Sequence, residues 1–124
     1  MIIEEQLTDI KLLIQRAAVS HRAVSFSALF SAFPKGTRPE NVYDTLEASC
    51  AALADWRVAI YSVVLAKNST GLPGDGFFDI FCVHRESEYQ KIAGKTHVHA
   101  LTTEQRIRMV QLEKIRVYEH AKHA

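Results

Sequence analysis

The stretch VSFSALFSAFPKGTRPENVYDTLEASCAALADWRVAIYSVVLAKNSTGLPGDGFF, Val24 to Phe78, sets out a short helix, a turn containing Gly36, a longer helix, a β-branched run and a Gly-Pro-rich turn, in that order. Ser25 offers the hydroxyl of an N-cap and opens a helix that ends by Phe33, because Pro34 and Gly36 do not continue one. Pro39 suits a first helical turn, where its missing N–H would be unpaired in any case, so a third helix runs from there to about Trp56. Within it Val42, Leu46, Cys50 and Leu53 recur at three- and four-residue steps, flanked by Ser49 and Trp56, and predict the buried stripe. Val58 to Leu65 is β-branched and reads as a strand. Lys67 to Gly76 reads as a turn region, and Phe77 to Val83 fits a strand or a buried helical turn equally, since periodicity does not separate the two in so short an apolar run.

Outward from this core, Ile3, Leu7, Ile10, Ile14, Ala17 and Ala18 recur at helical spacing and predict a first helix over Ile3 to Ser20. Thr102 with Gln105 makes a capping box ahead of a C-terminal helix, Thr103 to His120, whose expected apolar face is Ile107, Val110, Val117, Tyr118 and Ala121. Glu86 to Ala100, polar and holding Gly94, reads as a short helix and a loop. A chain of 124 residues with 48% hydrophobic and 23% charged residues matches one compact domain. The expected fold class is therefore α+β over residues 1–124. It comprises a winged helix-turn-helix-like core (23–78), an N-terminal helix, a connecting segment (79–100) and an added C-terminal helix (101–124).

The formal net charge of +1 supplies no global basic field, so any affinity for phosphate must come from a local patch. Residues 57–124 hold ten Lys/Arg against seven Asp/Glu, and residues 1–56 hold five against seven, a mild asymmetry. The opening residues have no basic leader or continuous apolar core, and no run of about 18 apolar residues follows, so neither a signal peptide nor a membrane span is expected. Cys50 and Cys82 have neither the number nor the spacing of a disulfide framework or zinc site, and a reduced, cytoplasmic setting fits them. The sequon Asn68-Ser69-Thr70 is then chemically idle.

Val24-Ser25-Phe26-Ser27-Ala28-Leu29, Arg38-Pro39-Glu40-Asn41-Val42 and Tyr61-Ser62-Val63-Val64 together resemble, in order of elements, the DNA-binding domain of alkylguanine alkyltransferases and alkyltransferase-like proteins. The stretch also resembles small bacterial proteins that join such a winged helix to a turn like Gly71-Leu72-Pro73-Gly74-Asp75-Gly76-Phe77. The resemblance covers roughly residues 23–78 and implies a winged-helix fold and nucleic-acid binding in a bacterial or mobile-element regulatory role. It does not extend to alkyl transfer. The alkyltransferase nucleophile lies in a Pro-Cys-His-Arg segment, and the aligned stretch here is Ile60-Tyr61-Ser62-Val63. Cys50 and Cys82 both sit among apolar neighbours and read as inert thiols.

The leading expectation is a non-enzymatic module that binds DNA. Arg38, Lys67, Arg108 and Arg116 would meet phosphates, Asn68 would assist at the turn tip, and Asn41 is the best candidate for a base contact, with Thr45 nearby. Against it, Glu40, Asp44 and Glu47 share the outward face of the helix that should read the groove. Hence the alternative: a protein-binding module or inhibitor that docks this acidic face on a basic protein surface. Met109 and Leu112 fall off the expected apolar face of the last helix and suggest a covering element or a homodimer. A small enzyme is a third reading. His97 and His99 would share one side of an extended segment, but His84, Asp75 and Asp79 complete no ligand set or base–nucleophile pair, so no metal, cofactor or catalytic residue is assigned.

Overall fold

The computed structural model describes the whole chain, Met1–Ala124, as six α-helices with two very short strands. A 3-10 turn over Glu4–Gln6 leads into α1 (Leu7–Val19), whose buried face is Ile10, Ile14, Ala17 and Ala18, the stripe expected from spacing. After β1 (Val24–Ser25), the Ser25 hydroxyl accepts the Ala28 N–H at 3.0 Å and caps α2 (Phe26–Ser31). Gly36 takes φ 88°, a left-handed conformation that a Cβ would strain, and turns the chain toward α3 (Pro39–Leu53). Pro39 stands in the first turn of α3, and Val42, Leu46 and Cys50 are buried along it as the spacing requires.

The β-branched run is not the strand its composition suggests. Ala59 to Leu65 are buried without interruption, so the run lacks the in-out alternation of a half-buried strand. It threads the interior as a loop and a 3-10 turn (Tyr61–Val64), and only β2 (Leu65–Ala66) pairs with another strand. That pairing is parallel, Val24 with Leu65 and Ser25 with Ala66. There is no antiparallel wing, because the second arm of such a hairpin is helical: α4 (Asp75–His84) buries Phe77, Phe78 and Phe81 at helical spacing. The domain is thus α+β and mostly helical.

The second half of the chain closes the core. α5 (Glu86–Ala93) ends at Gly94, φ 60°, and a 3-10 turn over Val98–Ala100 precedes α6 (Thr103–His123). Both hydrogen bonds of the capping box form, Gln105 N–H to the Thr102 hydroxyl at 3.1 Å and Thr102 N–H to Gln105 Oε1 at 2.9 Å. The buried face of α6 differs from the expected one. Met109, Val110, Glu113, Val117 and Ala121 face the core, while Ile107 and Ile115 lie outside. The displacement follows from Glu113, whose charge argues for solvent although it stands three residues after Val110 and four before Val117 on the apolar face. Its carboxylate is fully enclosed and holds Arg85 at 2.6 Å and 3.1 Å and the Ile60 N–H at 2.8 Å. Arg85 also donates Nε to the Trp56 carbonyl at 3.2 Å, so one ion pair ties α6 to the threading loop and to the α4–α5 junction. Burial pushes the Glu113 carboxyl up, while the Ile60 N–H, Arg85 and Arg116 pull it back.

Candidate functional site

Two features stand together on one side of the molecule: the outward face of α3 and a cleft beside it. The cleft runs between α2 and α3 on one wall and the Lys67–Gly76 turn and the start of α4 on the other, and it encloses about 720 Å³. Its placement follows from local sequence. Lys67 C=O accepts the Gly71 N–H at 2.7 Å, and Lys67 N–H donates to the Leu72 carbonyl at 2.9 Å, which closes a tight loop with Gly71 at φ 71°. Pro73 and Gly74 then lead directly into α4. A Cβ on Gly74 would stand 3.4 Å from the Phe26 ring and 3.8 Å from Cε of Lys67, and one on Gly76 would stand 3.7 Å from Glu47 Oε1. The two glycines let the start of α4 lie against Phe26 and Glu47.

The cleft lining is apolar on the inside, with Phe26, Leu46, Leu65 and Phe77, and polar toward the rim, with Glu47, Ser27, Lys67, Asn68 and Asp75. Ser62 also contributes, and its buried hydroxyl has no hydrogen-bond partner. Burial and the neighbouring charges of Asp44 and Asp79 hold the Glu47 carboxyl above the usual glutamate range. Asp75 forms a long ion pair with Arg106, 3.7 Å, and the Arg106 guanidinium lies 4.9 Å over the Phe78 ring.

Of the residues expected to hold nucleic acid, the structure leaves Arg38, Lys67, Asn68 and Arg108 exposed. Arg38 sits at the start of α3 with Glu40 3.7 Å away. Asn41 is occupied: its Oδ1 accepts from the Met1 amine at 3.0 Å, and the same amine contacts Asp44. Thr45 is fully buried under this N-terminal segment, taking the Ile3 N–H at 2.8 Å and giving its own proton to the Asn41 carbonyl at 2.7 Å. Thr45 is thus withdrawn from any groove, whereas Asn41 stays half-exposed. Arg116 is likewise committed, 2.6 Å from Glu88 and 3.5 Å from Glu113, so the expected basic strip on α6 reduces to Arg108. His120, beside that strip, shares a 2.7 Å hydrogen bond with the Tyr61 hydroxyl.

The acidic face survives better. Glu40, Asp44 and Glu47 are all exposed on α3, with Tyr43 exposed between them and flanked by Phe26 and Phe30 in edge-on contact. Asp79 on α4 adds to this surface, a contribution that no single-helix periodicity could show. On α6, Met109 is fully buried rather than peripheral, whereas Leu112, Ile107 and Ile115 are 36%, 40% and 68% exposed.

The chemistry elsewhere is sparse. His97 and His99 lie with ring centroids 5.1 Å apart, and His97 Nδ1 accepts the His99 N–H at 3.2 Å. No three His, Cys, Asp or Glu side chains are grouped as a metal site would require. Cys50 is enclosed, and burial pushes its thiol far up, away from the thiolate form that nucleophilic attack needs. No helix is long and apolar enough to cross a membrane. No family model, curated protein or solved structure matches the chain.

Proposed function

We propose that this chain is a non-enzymatic binding module that docks the acidic face of α3 on a basic protein surface. The observation that carries the reading is the exposed cluster of Asp44, Glu47 and Asp79, in which burial first, and then repulsion by Asp44 and Asp79, raises the Glu47 carboxyl. A basic partner would relieve that repulsion, whereas DNA phosphates would add to it. Exposed Tyr43 amid the carboxylates supplies the aromatic contact favoured at protein interfaces. Fold-level analogy to DNA binders does not override this local chemistry.

DNA remains the second reading, favoured by Lys67 and Asn68 standing beside the start of α4, with Arg38 and Arg108 exposed. The element order α1, β1, α2, α3, β2 supports this reading as a winged-helix-like core lacking its hairpin. A salt series on a labelled random duplex separates the two readings, with the Glu40→Gln/Asp44→Asn/Glu47→Gln variant alongside. The protein-docking reading expects no duplex binding by the native chain at low salt, and salt-sensitive binding only in the neutralised variant. Salt-sensitive binding by the native chain, weakened by Lys67→Glu and Arg38→Glu, would replace it with the DNA reading.

A further inference from the structure

The outward face of α6 carries a stripe that nothing in the chain covers. Glu104, Arg108, Leu112, Ile115, Glu119 and Lys122 follow one another at three- and four-residue steps and are all exposed, on the side of the helix opposite the buried Met109, Glu113 and Val117. Ile115, near the middle, is 68% exposed, and Leu112 beside it is 36% exposed. Single apolar side chains scattered on a surface need no explanation, but these two adjoin and are flanked by charge in a definite order. Glu104, Arg108 and Lys122 have no oppositely charged side chain within 4.0 Å, and Glu119 has only His123, one turn along the same helix, at 3.0 Å.

The order of these residues decides what fits them. From its start the stripe reads negative, positive, apolar, apolar, negative, positive, and from its end it reads positive, negative, apolar, apolar, positive, negative. Reversal inverts every charge and keeps the apolar centre. Two copies laid antiparallel therefore set Arg108 against Glu119 of the second copy, Glu104 against Lys122 and Leu112 against Ile115. Laid parallel, they would set Arg108 against Arg108 and Glu119 against Glu119, like charge on like charge. The three antiparallel pairings share one centre, at Glu113 and Lys114, so a single register satisfies them all. Arg108 and Glu119 stand about 16 Å apart along the axis, at about 1.5 Å per residue, well within the 21 residues of α6.

We propose that this stripe is a homodimerisation seam, through which two copies of the chain pair their α6 helices antiparallel, with Leu112 and Ile115 packed at the centre and an Arg108–Glu119 ion pair on either side. Steps of three and four residues are those of helices packed side by side at a shallow angle. A contact of one helix per copy falls among the small interfaces, below about 1,200 Å², so the dimer is weak and depends on concentration. The seam uses no residue of α3 and is independent of the docking of that helix on a basic surface.

The test is sedimentation equilibrium of the native chain, Ile115→Gln, Arg108→Glu, Glu119→Arg and the double variant Arg108→Glu/Glu119→Arg. All three positions are exposed, and circular dichroism checks that the fold is kept. The native chain is expected to pass from monomer to dimer as its concentration rises to about 0.5 mM, and each single substitution to weaken the dimer about tenfold or more. Each charge reversal acts twice in a symmetric pair. The double variant should regain the native affinity, and an equimolar mixture of Arg108→Glu and Glu119→Arg should dimerise at concentrations where neither does alone. A native chain that stays monomeric throughout, a dimer indifferent to Ile115→Gln, or charge reversals rescued neither in the double variant nor in the mixture would overturn the assignment.

Discussion

Replacing Glu113 with Leu should remove a large share of the stability of this domain. The carboxylate is fully enclosed, and it holds the Arg85 guanidinium through two hydrogen bonds and the Ile60 N–H through a third. Its loss leaves a guanidinium, itself only 6% exposed, with only the long 3.9 Å ion pair to Glu88, a change that costs about 3–5 kcal/mol. The stranded Ile60 amide adds on the order of 1 kcal/mol or more. The sum, about 4–6 kcal/mol, compares with a total stability on the order of 5–15 kcal/mol for a single domain. Glu113→Gln keeps the shape and one acceptor and should cost less, about 2–3 kcal/mol. Arg85→Met/Glu113→Leu removes both charges and leaves only Ile60 N–H and the Trp56 carbonyl unpaired, so it should lie within about 1–2 kcal/mol of the native chain. Urea unfolding of the native chain, Glu113→Leu, Arg85→Met and the double variant at neutral pH gives the cycle, with Glu113→Gln run alongside. If the double variant costs the sum of the two single ones, or if Glu113→Leu costs less than about 1 kcal/mol, the ion pair is not the central tie described here.

Other consequences follow from the same structure. Thr102→Ala removes the hydroxyl that accepts the Gln105 N–H, while the backbone N–H of residue 102 keeps its bond to Gln105 Oε1, and it should cost about 1 kcal/mol in urea unfolding, with the loss confined to the start of α6 in hydrogen exchange. Glu47 has a folded-state pKa above its unfolded value, so its contribution is fully present below the unfolded pKa and is lost as pH rises through the folded one. Glu47→Gln should accordingly raise the thermal midpoint at neutral pH and leave it unchanged below pH of about 4. Cys82 is half-buried and Cys50 enclosed, so a thiol reagent should modify Cys82 first and reach Cys50 only on unfolding, as mass spectrometry of the two peptides would show. Arg116→Ala leaves Glu113 its Arg85 and should cost less than about 1 kcal/mol, since the Arg116 side chain is partly exposed.

Helix identities were legible wherever local rules sufficed. Ser25, Pro39 and the Thr102–Gln105 pair announce helix starts through their own hydrogen-bonding chemistry, and the stripe of α1 needs only its period. The run from Val58 to Leu65 misled because β-branched composition favours a strand only where a partner strand exists, and the one at hand, β1, is two residues long. The Ile60 N–H finds its acceptor in Glu113, fifty-three residues away, a pairing no window of sequence contains. That partner also shifted the face of α6, since a carboxylate placed in the core by Arg85 breaks the rule that charge lies outside. At the candidate site, Lys67 and Glu47 were nominated singly, on a turn and on a helix. The cleft they share depends on Gly74 and Gly76 admitting α4 against Phe26 and Glu47, and on the unpartnered Ser62, which had read as part of a strand. Asn41 and Arg116 are each engaged by a group distant in sequence, the Met1 amine and Glu88, which no local window shows.

The most direct test of the proposed docking face is a competition between two labelled probes for the native chain, a random DNA duplex and a peptide rich in Lys and Arg with interspersed aromatic residues, followed by fluorescence anisotropy at low salt. The account predicts salt-sensitive binding of the peptide alone, lost when Glu40, Asp44 and Glu47 are neutralised together. Binding of the duplex by the native chain, with the basic peptide left free, would contradict it.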